Sequence, residues 1–474
     1  MTKRIQRDTL GEIEIPTDAY WGPQTQRAVE NFGGISGYKP QRGFIWATAS
    51  VKMAAAMVHR ELKLLTQEKA DAIIQAATEI KSGELDDHFV VDAFQAGAGT
   101  SHNMNANEVI ANRALEILKK ERGDYDVIHP NNDVNMAQST NDVIPTALRL
   151  FILHDSLPLL KVLQHTEDQF RKKAKEFSQV LKSGRTHLQD AVPVSLGQEF
   201  GAYTEAVKRG MDNISEAREK LYEIGLGGSA TGTGLNVHPE YRERVAKKLA
   251  DITGFKEIKT TNNYFWAMQS LGPVLDFSTA LSNLAVEISR IMNDLRLLAS
   301  GPTTGLNEIV LPAVQPGSSI MPGKVNPVMA EMLNMACFSV IGHHHSVAWA
   351  AAAGQLELNV MMPLMVYSIG EQMKVFKGAL AAFHDKALKG IKANPASCTR
   401  FFENSYGLVT VLNTVIGYEK AAEIVKEAQS AGCSIKDAIL SKGVLTEEEI
   451  EQILDPKLLT EPGIPDITRP EDKS

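Results

Sequence analysis

Four stretches of this 474-residue chain collect side chains that can hold an anion or move a proton. GAGTSHNMNANE, residues 97–108, carries Thr100, Ser101, Asn103, Asn105 and Asn107, and HPNNDVNMAQSTNDVIPT, residues 129–146, sets Ser139, Thr140 and Asn141 just before an apolar helical stretch. SGRTHLQDAVP, residues 183–193, presents Arg185, Thr186 and His187, and QPGSSIMPGKVNP, residues 315–327, carries Ser318, Ser319, Lys324 and Asn326 among two glycines and three prolines. All four read as loops. Hydroxyls and amides at a helix start either cap it or hold a carboxylate there. A serine removes a proton only when activated, by a nearby cation or by donors aimed at its oxygen. A glycine-hinged loop such as 315–327 can close over a substrate and exclude water. Taken singly, capping residues and a structural histidine remain open as the plainer readings.

These segments need long elements to position them. Val274, Phe277, Leu281, Leu284, Ile288, Ile291, Leu295 and Leu298 recur at alternating spacings of three and four, an a/d seam opened by Pro273 and stopped by Gly301. Further long helices read around 155–182, 190–223 and 328–353. No series of alternating β-runs is present, so the expected fold is mainly α, a central long-helix bundle with smaller end domains. Composition suggests three zones: a mixed helical and loop domain over 1–140, the bundle with its mobile loop over 141–390, and a small helical domain over 391–474. The last zone ends in a Pro-rich, charged tail expected to fray. Long bundles leave apolar flanks, which favours assembly with other copies.

Lys plus Arg number 49 against 57 Asp plus Glu, a net charge of −8, which argues against nucleic acid as the main partner. Apolar residues are 43% and charged ones 22%, a globular balance. The first sixteen residues lack the apolar core of a secretory signal, and no run approaches the ~18 apolar residues of a membrane helix. Cys337, Cys398 and Cys433 are widely spaced, so neither a disulfide framework nor a thiolate zinc site is expected. A cytoplasmic protein with no membrane partner is the natural expectation. Gly225, Gly227 and Ala230 fit a GxGxxA pattern but follow a helical stretch, so they read as a loop rather than a nucleotide site. His343, His344 and His345 point in different directions on a helix and suit a structural or interface role. No metal ligand set and no cofactor motif is recognised.

In combination the segments are specific. GSSIMPGKVNP, GRTHLQDAVP, QSTND and GTSHNMNANE together resemble the signature blocks of the aspartase/fumarase superfamily, in its order and spacing. The likeness runs from DTLGEIEIP to GVLTEEEIEQILDP. It implies a three-domain fold whose central helices assemble into a homotetramer, with each active site shared between subunits and a small dicarboxylate as substrate. It implies Ser318 as the base that takes the Cβ proton. Thr100, Ser139, Thr140 and Ser319 would hold the β-carboxylate, with Ser101 beside them. Thr186, Lys324 and Asn326 would hold the α-carboxylate, and Asn141 and His187 would contact the departing amine. No cofactor is implied, and a divalent ion could act only as an activator. Gln138-Ser139-Thr140-Asn141-Asp142, Gly99-Thr100-Ser101-His102-Asn103 and the stretch from Gly354 to Asn359 resemble the ammonia-lyase branch more than the hydratase branch. The expected reaction is loss of ammonia from L-aspartate. The alternative is hydration of fumarate, in which His187 would pair with Glu331 and handle water. His102 and Met362 depart from the ammonia-lyase wording, and residues 129–133 resemble a second dicarboxylate segment of hydratases. An inactive structural relative is a third reading, which the undamaged Ser318, Lys324, Asn326 and His187 disfavour.

Overall fold

Apolar spacings of three and four residues do become helix, and the seam lies where the pattern puts it. In the computed structural model, which describes residues 2–463, Val274 to Leu298 fall in one helix, Gly272–Leu298, and no seam residue is more than 6% exposed. Each such aliphatic side chain contributes about 1.5–3 kcal/mol by leaving water. Three other long helices are Thr140–Glu176, Val328–Ala352 and Met362–Lys386. The first starts well before the expected residue 155. Its apolar stretch is long enough to cross a membrane, but 72% of that window is buried within the fold, so its apolarity serves the core. The tail expectation falls on residues 462–474, which lie outside the described residues apart from Pro462 and Gly463.

Two expectations change. Residues 97–108 are mostly helix: after a tight turn at Gly97–Gly99 the helix Thr100–Ile117 begins, and Asn103, Asn105 and Asn107 are buried. A polar-rich sequence folds as helix here because the amide N–H groups find partners in the interior, Asn105 bonding both Val90 N and His88 O, while Asn103 Oδ1 and Asn107 Oδ1 are left without one. Residues 190–195 belong to a strand rather than to a helix, and the helix that follows is Leu196–Glu219. Strands are few among the described residues, four two-stranded sheets, of which only Glu223–Ile224 with Lys259–Thr260 is parallel.

The chain divides into two compact units. The first comprises Met1–Lys161, Gly210–Ala285 and Cys337–Lys377. Its core joins the helices Arg42–Glu61, Gln67–Ser82 and Thr100–Ile117 through Ile45, Ile73, Ile80, Val109 and Leu115, with alanines between them. Small side chains let the helix axes approach closely. The buried carboxylate of Glu108 accepts the backbone N–H groups of Gly22, Gln24 and Thr25 and so caps the helix Pro23–Phe32.

The second unit comprises Val162–Arg209, Val286–Ala336 and Gly378–Ser474. It holds a β-hairpin, Leu181–Thr186 with Gln189–Ser195, paired from Leu181↔Ser195 to Thr186↔Gln189. Gly184 sits at the bulge in this ladder, where a Cβ would lie 2.5 Å from Val192 O. A satellite core of Leu412, Ile424, Ile435, Ile439, Ile450 and Ile453 gathers the short C-terminal helices.

Candidate active site

Two helix starts meet in the first unit. Thr100 opens the helix Thr100–Ile117 behind the positive-φ residues Ala98 and Gly99 and is exposed, its hydroxyl donating to Gly97 O at 3.2 Å. Gln95 Oε1 accepts the backbone N–H of His102 at 2.8 Å and Gly97 O accepts that of Thr100, so two of the first N–H groups of this helix are already engaged. Ser101 behind it is buried at 8% exposure. The second start is Thr140–Glu176. Ser139 Oγ accepts Asn141 N at 3.2 Å, and Asp142 Oδ1 accepts Ser139 N at 2.9 Å, so Ser139 does cap its helix. Asn103 Nδ2 donates to Thr140 Oγ1 at 3.1 Å and ties one helix start to the other.

Asn141 donates its amide N–H to Ala230 O at 2.8 Å, which leaves its Oδ1 as an acceptor. Asp142, fully buried, accepts Gly227 N and Ser229 N at 3.0 and 2.9 Å. The glycine loop therefore serves a carboxylate of its own chain. It follows the two-residue strand Glu223–Ile224 rather than a helix directly, and no helix begins before Tyr241. Burial pushes the Asp142 carboxyl up to about 6, and burial pulls the Lys52 ammonium down to about 7.

In the second unit the tip of the hairpin carries Thr186 and His187, both exposed. His187 and Leu188 have φ of +57° and +60°, the backbone of a type I′ turn built without glycine. Such strain persists where surrounding structure enforces it, and it gathers at functional sites. The enforcement is visible below the tip. Lys182 bonds Glu199 at 2.6 Å and sits 3.1 Å from Glu308 Oε2, while Arg185 Nη1 donates to Glu308 Oε1 at 2.9 Å. Glu308 is 0% exposed. Arg185, presented by the sequence as one of the groups beside His187, is thus engaged in holding the hairpin.

The loop 315–327 has no regular structure, as expected, and is mostly exposed. Ser318 Oγ accepts the backbone N–H of Ile320 and Met321 at 3.2 and 3.0 Å. Two donors aimed at one hydroxyl oxygen favour its deprotonated form. Asn326 Nδ2 bonds Gly317 O at 2.7 Å, and a Cβ on Gly317 would lie 2.1 Å from Lys324 O, so the loop closes tightly on its own backbone. Ser319 and Lys324 are exposed, and Glu331 is half-buried in the first turn of Val328–Ala352. Among the described residues no hydrogen bond joins Glu331 to His187.

His102, the departure from the ammonia-lyase wording, is fully buried, stacks on Phe44 at 4.4 Å and bonds Thr48 through Nε2 at 2.9 Å. Burial lowers it to about 3, so it stays neutral. His344 bonds Ser278 at 3.1 Å, a structural contact for one of the three adjacent histidines. His129 Nδ1 accepts the backbone N–H of Asn131 and Asn132 at 3.0 and 3.2 Å.

The family model described as Lyase matches residues 11–342, and one described as Fumarase C C-terminus matches 408–461. The chain belongs to the aspartase/fumarase superfamily of lyases. This lyase is 49% identical to an aspartate ammonia-lyase of Bacillus subtilis (strain 168), over 97% of each chain. It is 47% identical to a class II fumarate hydratase of Halobacterium salinarum, covering 97% of this chain and 98% of the relative. A solved structure of a fumarate lyase:delta crystallin from Brucella melitensis superposes with a TM-score of 0.95 at 46% identity, covering 97% of this chain and all of that one. The mainly helical fold expected from the sequence is the superfamily's fold.

Proposed function

We propose that this lyase eliminates ammonia from L-aspartate to give fumarate. The observation that carries the reading is Asn141: one of its two amide N–H groups is held by Ala230 O, which fixes the amide and leaves Oδ1 open to accept from an ammonium group, which has only donors to give. The QSTND and GTS wording and the 49% relative support the same branch.

The chemical difficulty lies in the Cβ proton, since the neighbouring carboxylate already bears a charge. Ser318 Oγ takes that proton, and the C–H electron pair moves onto the β-carboxylate as an aci-carboxylate dianion. Collapse of the dianion forms the double bond and expels the amine, with Asn141 and His187 beside it. Donors fixed in advance around the dianion lower this barrier most. Thr100, Ser139, Thr140 and Ser319 fill that role, with Ser101 shaping the pocket. Thr186, Lys324 and Asn326 hold the α-carboxylate, Lys324 as a point charge. The chain's own chemistry needs no cofactor in this scheme.

The two groups of residues come together in an assembly of several copies. Met335, Phe338 and Trp349, at 68, 59 and 77% exposure, form an apolar stripe along Val328–Ala352, which a helix bundle shared by four chains would cover. The hydratase alternative rests on the 47% relative. Offering fumarate with and without ammonium tests both. Aspartate formed only with ammonium is the expected product, and malate formed without it would establish the hydratase.

A further inference from the structure

We infer that Lys52, Asn135 and Asn103 form a chain of positioning residues that turns the hydroxyl proton of Thr140 outward, toward the ligand. This rests on the proposed reading that Thr140 holds a substrate carboxylate.

Lys52 is 0% exposed, a lone charged side chain in the alanine-rich stretch of Arg42–Glu61. Its Nζ donates to Asn135 Oδ1 at 2.7 Å and to Gln138 Oε1 at 3.1 Å. Asn135 Nδ2 donates to Gln138 O at 3.2 Å. Only one orientation of the Asn135 amide serves both contacts. Reversed, it would turn its NH2 toward the lysine and its oxygen toward a carbonyl.

With Asn135 Oδ1 fixed, Asn103 has no choice either. Its Nδ2 faces Asn135 Oδ1 at 3.4 Å and Thr140 Oγ1 at 3.1 Å. A reversed Asn103 would set two carbonyl oxygens against each other. The orientation has a visible cost, because Asn103 Oδ1 is buried without a partner. Thr140 Oγ1 therefore accepts from Asn103, and no described protein atom takes its proton. That proton remains for an anion. Were Asn103 reversed, Thr140 would give the proton to Asn103 and meet a carboxylate with lone pairs. Lys52 donates both bonds whether ammonium or amine, so the polarity holds in either form.

The test is a set of double-mutant cycles on the assembled enzyme, read as kcat and KM separately. Thr140→Val is expected to lower kcat by roughly 10²-fold with a smaller change in KM, as loss of one preorganised donor does. Asn103→Asp keeps the size but accepts instead of donating, and lowers kcat comparably. Because both act through one proton, the double variant loses no more than the worse single. Lys52→Met lowers kcat in the native background and has little further effect beside Asn103→Asp. If circular dichroism shows Asn103→Asp unfolded, Asn103→Ala replaces it in the same cycles. Losses that multiply, or a wild-type kcat in the Asn103 variants, overturn the chain of positioning residues while leaving Thr140 in its role. A wild-type kcat in Thr140→Val overturns the reading of Thr140 itself, and this is seen in the single variant alone.

Discussion

Ser318 shows how little a residue needs beyond its surroundings to become a base. Its oxygen already receives two backbone N–H groups, and the loop around it is mostly exposed, so water can take up those groups when the hydroxyl is removed. Ser318→Ala should lower turnover by roughly 10³-fold or more while the melting temperature stays unchanged. Turnover near the wild-type value would remove Ser318 from the role. Lys52 makes the opposite case, since burial governs it. Its folded pKa of about 7 lies below the ordinary 10.5. Between those values the unfolded chain binds a proton that the folded chain lacks, so stability rises with pH across that window. Below pH 7 both states are protonated and the contribution is lost. Subtracting urea unfolding curves of Lys52→Met from those of the native chain at pH 7 and 9 should isolate this rise, and equal differences at the two pH values would contradict it.

At the scale of elements, the hairpin Leu181–Thr186 with Gln189–Ser195 is a platform for His187, and its rigidity comes from buried charge. Glu308 ties Lys182 and Arg185 together with no exposure to water. Removing one partner of a buried pair costs about 3–5 kcal/mol, because the remaining charge stays buried. Glu308→Leu should lose that much in chemical denaturation, and turnover should fall with it as the tip loosens. A loss below about 1 kcal/mol would mean that the cluster does not hold the hairpin. The sequence revealed His187 but not this support, since Glu308 lies 123 residues from Arg185 and no local pattern links them. The seam at Val274–Leu298 was legible because its period is local. The helix at Thr100 was not, because buried asparagines look like loop residues until their partners across the chain are known. Lys52 did leave a trace, a single charge among alanines.

For the whole molecule, the chain places Thr100, Ser101, Ser139, Thr140 and Asn141 in one compact unit, and Thr186, His187, Ser318, Ser319, Lys324, Asn326 and Glu331 in the other. If copies share sites through the exposed stripe on Val328–Ala352, two inactive chains can mend each other. Mixing Ser318→Ala with Ser139→Ala, one lesion in each unit, and allowing subunits to exchange should restore part of the activity. A monomer on sizing that is fully active would end the shared-site reading. Trp349 lies on that stripe at 77% exposure, so its fluorescence should shift to the blue as copies associate.

The tight closure of the loop 315–327 on itself, by Asn326 against Gly317, has a practical side. Lys324 stands exposed between Gly323 and Val325, so the peptide bond after it is open to trypsin. A protease must draw several residues into an extended form, which this looped backbone resists only as strongly as one amide bond and one glycine contact allow. A dicarboxylate held by Lys324 and Asn326 would add to that resistance. The rate at which trypsin nicks the chain there should fall as fumarate is added, so a residue of the chemistry also reports occupancy without any turnover.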